Sequence, residues 1–173
     1  ATGTASPPTW MSRLYPSMLL VTREGNRVSH GSRQHYCPNS PDYRRKSAEL
    51  VQQLAERYGS HPALKMWHSN NEYGCHNAQC YCDNCAEAFR GWLQERYHSL
   101  ETLNDAWGTN FWSQRYYHWE DVLPPRITTS FHNPGQRLDY WRFMSDSLLG
   151  CYRIEEEILR SATPNIPITT NFM

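Results

Sequence analysis

One transition constrains this chain more than any other: a capped helix that gives way to a short apolar run ending in polar residues. Ser40 can cap a helix whose first position is Pro41, and Asp42 suits the positive end of its dipole. Tyr43, Leu50, Val51, Leu54, Ala55 and Tyr58 recur at three- and four-residue spacing and predict one apolar face, with Gly59 as a C-terminal stop. The run Ala63-Leu64-Lys65-Met66-Trp67-His68 follows, bounded by Pro62 and by Ser69-Asn70-Asn71-Glu72. Helix followed by a short buried strand is the pattern of a parallel sheet. The polar residues then sit at the strand's C-terminal end, where parallel sheets and barrels keep their active sites.

The remaining pattern repeats this logic. Residues 1–40, rich in Pro, Gly and Ser, read as a long loop with short ordered pieces. A helix is expected over about 84–97, with Phe89, Trp92, Leu93 and Tyr97 as its stripe, then a short one from Leu100 to Trp107 closed by Gly108. Residues 109–133 are irregular and aromatic-rich. A long helix starts at Pro134, capped by Asn133, with Leu138, Trp141, Leu148, Leu149, Tyr152 and Leu159 as its inner face, and ends at Pro164. Residues 166–172 read as a second short strand. This order predicts consecutive βα units of an α/β fold. A TIM (β/α)8 barrel needs eight such units and about 250 residues. The chain has 173 residues and at most three units, so the expectation is an arc of one catalytic barrel domain, cut at both ends.

Composition narrows the function classes. Hydrophobic residues make up 39% and aromatics 13%, with seven Trp and eleven Tyr, which is globular rather than disordered. Net charge is zero and no basic run is present, which argues against nucleic acid as a partner. No apolar stretch approaches a membrane span, and the N-terminus shows no charged and apolar leader pattern, so a cytoplasmic location is the expectation.

Two constellations carry chemistry. Glu72 follows directly on the buried strand, with Asn71 before it and Trp67 and Tyr73 nearby. Glycoside hydrolysis needs a carboxylic acid that protonates the leaving group, and partial desolvation at a strand end suits that role. Asn-Glu at a strand end is also what a plain surface loop would carry. The second constellation is Cys80-Tyr81-Cys82-Asp83-Asn84-Cys85, three thiols in six residues. Thiolates are the preferred ligands of structural zinc, and a fourth could come from Cys37, Cys75 or His76. Disulfides are the rival, but they need an oxidising compartment. Cys151, inside the long helix, reads as a buried thiol.

The motifs Asn71-Glu72-Tyr73-Gly74-Cys75-His76, Cys80-Tyr81-Cys82 with Cys85, and Ala88-Phe89-Arg90-Gly91-Trp92-Leu93 resemble the β-galactosidases of glycoside hydrolase family 42. So do Leu103-Asn104-Asp105-Ala106-Trp107-Gly108-Thr109, Phe111-Trp112-Ser113-Gln114-Arg115-Tyr116, Arg33-Gln34-His35-Tyr36-Cys37 and Thr170-Asn171-Phe172-Met173. The resemblance implies a TIM barrel with extra domains, of which this chain is roughly strands three to five, assembled as a homotrimer. It implies cleavage of terminal β-D-galactosyl residues with retention, Glu72 as acid/base, and Arg33 and Asn71 as contacts to the galactosyl unit. It also implies a structural zinc on Cys37, Cys80, Cys82 and Cys85, which selects Cys37 over Cys75.

Two departures from the family pattern matter. Asn70 stands where many members carry Asp. The family's nucleophile, a Glu on a later strand, is expected beyond Met173, because Glu155, Glu156 and Glu157 lie within a helix and residues 166–173 carry no carboxylate. Two other functions fit the same residues: a zinc-stapled carbohydrate-binding module, and a same-clan retaining hydrolase of another sugar.

Overall fold

The computed structural model describes residues 1–172. Its helices are α1 (Thr9–Leu14), α2 (Pro41–Tyr58), α3 (Asp83–Tyr97), α4 (Leu100–Trp107) and α5 (Pro134–Ala162), and its strands are β1 (Trp67–His68) and β2 (Ile168–Thr169). The two strands pair in parallel, Trp67 with Ile168 and His68 with Thr169. Parallel pairing requires a crossover, and α3, α4 and α5 supply it.

The helix ends follow their capping residues. Ser40 Oγ accepts from the Tyr43 N–H at 3.2 Å and Pro41 occupies the first position of α2. Asn133 Oδ1 accepts from the Gln136 N–H at 3.1 Å, with Pro134 next. Gly108 closes α4 in the left-handed region at φ 62°, as its position predicts. Gly59 ends α2 differently. Its φ is −58°, and a Cβ there would lie 2.5 Å from the Ala55 carbonyl oxygen and 2.9 Å from Thr163 Cγ2, so the last turn of α2 and the end of α5 together leave no room for a side chain.

Helices α2 and α5 pack on each other and on the sheet. Val51, Ala55, Trp67 and Leu159 form one buried cluster, and the Trp67 indole N–H donates to Thr163 Oγ1 at 3.0 Å. The α2 stripe is Tyr43, Ser47, Val51 and Ala55, spaced four apart, so Leu50 and Tyr58 fall outside it and are exposed. On α5 the buried stripe runs Tyr140, Phe143, Met144, Ser147, Leu148, Cys151, Glu155 and Leu159, while Leu138 and Trp141, expected inside, are exposed.

A second, aromatic core joins α3, α4 and α5 through Phe89, Trp107, Tyr140 and Phe143. Buried Asp139 ties these helices together, accepting from Tyr97 Oη at 2.5 Å, Trp107 Nε1 at 2.9 Å and Arg142 Nη1 at 3.0 Å.

The ordered strand is shorter than its apolar run. Leu64 donates its N–H back to His61 O at 2.9 Å, so a turn takes the start of the run and pairing begins at Trp67. No helix among the described residues is long and apolar enough to cross a membrane.

Candidate active site and thiol cluster

The β1–β2 ladder continues past the regular strands and places Glu72. Ser69 N–H donates to Thr169 O at 2.8 Å, and Tyr73 N–H donates to Asn171 O at 3.0 Å. Four steps along the first segment therefore face two steps along the second. The surplus backbone, Asn70-Asn71-Glu72, bulges out of the ladder, which is how a bulge re-aims a side chain. Asn70 and Glu72 both adopt φ 54°. Left-handed backbone costs roughly 1–2 kcal/mol for a non-glycine residue, somewhat less for Asn, so the surroundings must hold it.

Three groups hold it. The Glu72 N–H donates to Asn171 Oδ1 at 2.8 Å. Gln34, fully buried, donates from Nε2 to the carbonyls of Asn71 (2.8 Å) and Glu72 (2.6 Å) and accepts from the His76 N–H at 2.8 Å. Asn70, also buried, donates from Nδ2 to Thr4 Oγ1 at 2.9 Å, Tyr43 Oη at 3.2 Å and Tyr36 Oη at 3.3 Å. Desolvation pushes the Tyr36 phenol up to about 12, so that hydroxyl stays neutral.

The Glu72 carboxylate itself remains accessible, its side chain 28% exposed, and pairs with Arg33 Nη2 at 2.6 Å. Arg33 Nη2 also lies 3.4 Å from His76 Nε2 and 3.9 Å from Cys75 Sγ. Asn71 is half-buried between the two strained residues; its backbone is bonded to Asn70 and Gln34, and its side-chain amide makes no hydrogen bond among the described residues. The three residues singled out in the sequence thus share one surface: a carboxylic acid, a guanidinium with donors to spare and a free amide. Such a set can donate a proton and bind hydroxyls. Among the described residues the other carboxylate bonded to this turn is Glu155, which is buried and engaged by four hydroxyls.

Gln34, Asn171 and Glu155 escaped the sequence reading. Each acts through hydrogen bonds to residues distant in the chain, which leave no periodicity. The one available signal for Gln34 was its place beside Arg33.

The three closely spaced thiols converge, and Cys37, the fourth ligand that the resemblance implies, joins them. Sγ atoms of Cys37, Cys80, Cys82 and Cys85 all lie within 4.8 Å of one another, and all four residues are buried. Cys37 Sγ is 3.3 Å from Cys85 Sγ and 3.4 Å from Cys82 Sγ. A tetrahedron with zinc–sulfur bonds of about 2.3 Å has edges of about 3.8 Å, close to this packing. Three donors point at the sulfurs: Val21 N–H to Cys80 (3.4 Å), Asn39 N–H to Cys37 (3.3 Å) and Asn39 Nδ2 to Cys85 (3.4 Å). Hydrogen bonds donated to sulfur stabilise thiolate ligands. The cluster cannot hold four negative charges unaided. Hydrogen bonding with Cys37 pulls Cys82 far below the usual thiol range, while hydrogen bonding with Cys80 and Cys82 pushes Cys37 far above it. A divalent cation would supply the missing charge, so these residues fit a closed, structural zinc site. Cys75 and His76 lie instead beside Arg33. Cys151 is buried, pushed up to about 12 by desolvation, and donates to Pro38 O at 3.3 Å.

The sequence profile of the β-galactosidases of glycoside hydrolase family 42 matches residues 1–173. The chain belongs to glycoside hydrolase family 42. A family member from Heyndrickxia coagulans, the β-galactosidase LacZ, is 58% identical over 173 residues, which is 100% of this chain and 26% of that protein. The β-galactosidase of Geobacillus kaustophilus is 55% identical over 172 residues, 99% of this chain and 26% of that protein. Among solved family structures, the β-galactosidase of the Antarctic haloarchaeon Halorubrum lacusprofundi superposes with a TM-score of 0.94 at 43% identity, covering 98% of this chain and 26% of that one. That of Bacillus circulans sp. alkalophilus gives 0.91 at 47% identity, covering 99% and 26%. The chain therefore spans about a quarter of the length of the relatives it matches.

Proposed function

We propose that this chain forms one wall of the active site of a retaining glycoside hydrolase that removes terminal β-D-galactosyl residues, with Glu72 as acid/base. The observation that carries the reading is the bulge at the end of β1. It presents an accessible carboxylate on strained backbone held by hydrogen bonds from Gln34 and Asn171, next to Arg33 and Asn71. Family membership and the names of the relatives support the galactoside.

In this reading Glu72 protonates the glycosidic oxygen as the bond to the anomeric carbon breaks, and later deprotonates the water that releases the sugar. Retention needs a second carboxylate about 5–5.5 Å away to attack the anomeric carbon. Buried Glu155 cannot reach a substrate, so the nucleophile comes from outside these residues, as a Glu on a later strand of the same TIM barrel. The chain then contributes roughly strands three to five of that barrel, within one catalytic domain. Arg33 and Asn71 hold the galactosyl hydroxyls through guanidinium and amide donors. Cys37, Cys80, Cys82 and Cys85 hold zinc, which fastens the loop before α2 to the start of α3 and takes no part in the chemistry. The family resemblance extends this to a homotrimer, and six free cysteines suit a reducing cytoplasm.

The test is a panel of nitrophenyl glycosides with the full-length protein, following the anomer released by NMR. Hydrolysis of the β-galactoside with β-galactose as first product is expected. Preference for another sugar points to a same-clan hydrolase. Binding of galactosides without turnover would replace the reading with a zinc-stapled binding module, which the burial of Glu155, the second carboxylate bonded to this turn, otherwise favours.

A further inference from the structure

Glu155 is a buried carboxylate that the proposed chemistry does not use. It sits on α5, 1% exposed, and no ion pair reaches it among the described residues. Every polar neighbour arrives as a donor: Thr2 Oγ1 at 2.7 Å and Ser69 Oγ at 2.8 Å to Oε2, Thr4 Oγ1 at 2.5 Å and Tyr73 Oη at 3.3 Å to Oε1. Those residues surround the catalytic bulge. Ser69 precedes it and Tyr73 follows it.

The decisive detail is where the hydrogens go. A threonine hydroxyl has one hydrogen and accepts with its lone pairs. Thr2 Oγ1 gives its hydrogen to Glu155 and accepts the Asn70 backbone N–H at 2.8 Å. Thr4 Oγ1 gives its hydrogen to Glu155 and accepts from Asn70 Nδ2 at 2.9 Å. Asn70 presents only donors to these two oxygens. An all-acceptor group beneath them is what lets both face Asn70 as acceptors. Asn70 in turn shapes the turn: its Oδ1 accepts the Asn71 N–H at 2.7 Å, and its own φ is 54°.

We infer that Glu155 is a positioning residue: by fixing the hydrogen-bond polarity of Thr2 and Thr4, and by holding Ser69 and Tyr73, it aims Glu72 at the leaving-group oxygen. The inference rests on Glu72 being the acid. Glutamine in place of Glu155 keeps the size but brings an NH2 group. One threonine would then have to accept from position 155, and its own hydrogen, refused by the Asn70 donors, could turn only to the other threonine at 3.3 Å. The network is forced to rearrange directly under the bulge, and the proton donor is misplaced with no change in any group that touches the sugar.

The leaving group separates this from a general loss of structure. A strongly acidic phenol departs without protonation and a weakly acidic one does not, whereas partial unfolding costs both equally. In the full-length protein, kcat/KM would be measured for 2,4-dinitrophenyl and phenyl β-galactoside. Glu155→Gln is expected to lose more than tenfold on the phenyl substrate and less than twofold on the dinitrophenyl one, with zinc content unchanged. Equal losses on the two substrates, or no loss, overturn the inference. If Glu155→Gln does not yield soluble protein, Thr2→Val removes the bridging hydroxyl alone. The same asymmetry is expected of it, and equal losses or none overturn the inference again. Glu72→Ala, measured in parallel, tests the underlying reading: equal losses there would remove Glu72 as the acid, whatever Glu155 does.

Discussion

Arg33 Nη2 lies 2.6 Å from Glu72 Oε2, so the residue expected to bind sugar is, in this structure, paired with the proposed acid. Both side chains are about a third exposed, so the pair itself adds little stability in water. Its value is geometric, since a planar guanidinium holds a carboxylate oxygen and still has donors for a ligand.

Replacing Arg33 by Lys keeps the charge and loses the fork. We expect kcat/KM on a nitrophenyl β-galactoside to fall at least tenfold, about 1.4 kcal/mol, with little change in thermal stability. Steady-state kinetics alongside a thermal scan check this. Unchanged kinetics would remove Arg33 from the site.

Gln34 offers a sharper test of the bulge. Gln34→Glu replaces the amide that donates to the Asn71 and Glu72 carbonyls with an acceptor. The Asn71 carbonyl then loses its donor, which costs about 1–3 kcal/mol, while the Glu72 carbonyl keeps only the Cys75 N–H at 3.0 Å, so the strained backbone of the turn is held less firmly. Activity should drop at least tenfold while zinc content stays constant, as kinetics and elemental analysis on one preparation would show.

How much of this was legible in the sequence follows the range of the interactions. Ser40, Pro41, Asn133 and Gly108 act on neighbours a few residues away, and the helix ends they predicted are the observed ones. Three of the four thiols, Cys80, Cys82 and Cys85, were legible because soft ligands at short spacing have few other uses; Cys37, 43 residues upstream of Cys80, was selected only by the family resemblance. Apolar character alone puts Leu138 and Trp141 on the inner face of α5, and both are exposed. The stripe passes through Ser147 and Glu155, polar residues whose partners lie more than 80 positions away in the case of Glu155. The bulge was invisible for the same reason: a mismatch between two ladders is a property of their pairing, which neither segment carries alone.

The proposed zinc site predicts a metal dependence separable from catalysis. Elemental analysis should give about one zinc per chain, and Cys82→Ser should lose it. Loss of the closure between the loop before α2 and α3 is expected to lower the unfolding midpoint by about 10 °C, a few kcal/mol for a chain of this size. Full retention of zinc in that variant would count against the four-thiolate site.

The role of Glu72 is tested most directly by chemical rescue of Glu72→Ala in the full-length protein. With 2,4-dinitrophenyl β-galactoside the variant should form the galactosyl-enzyme and stall, because the water that must release it has lost its base. Azide, which needs no base, should restore turnover and yield β-galactosyl azide, the retained product. Formation of α-galactosyl azide would make Glu72 the nucleophile instead, and turnover indifferent to azide would mean that Glu72 is not the acid/base.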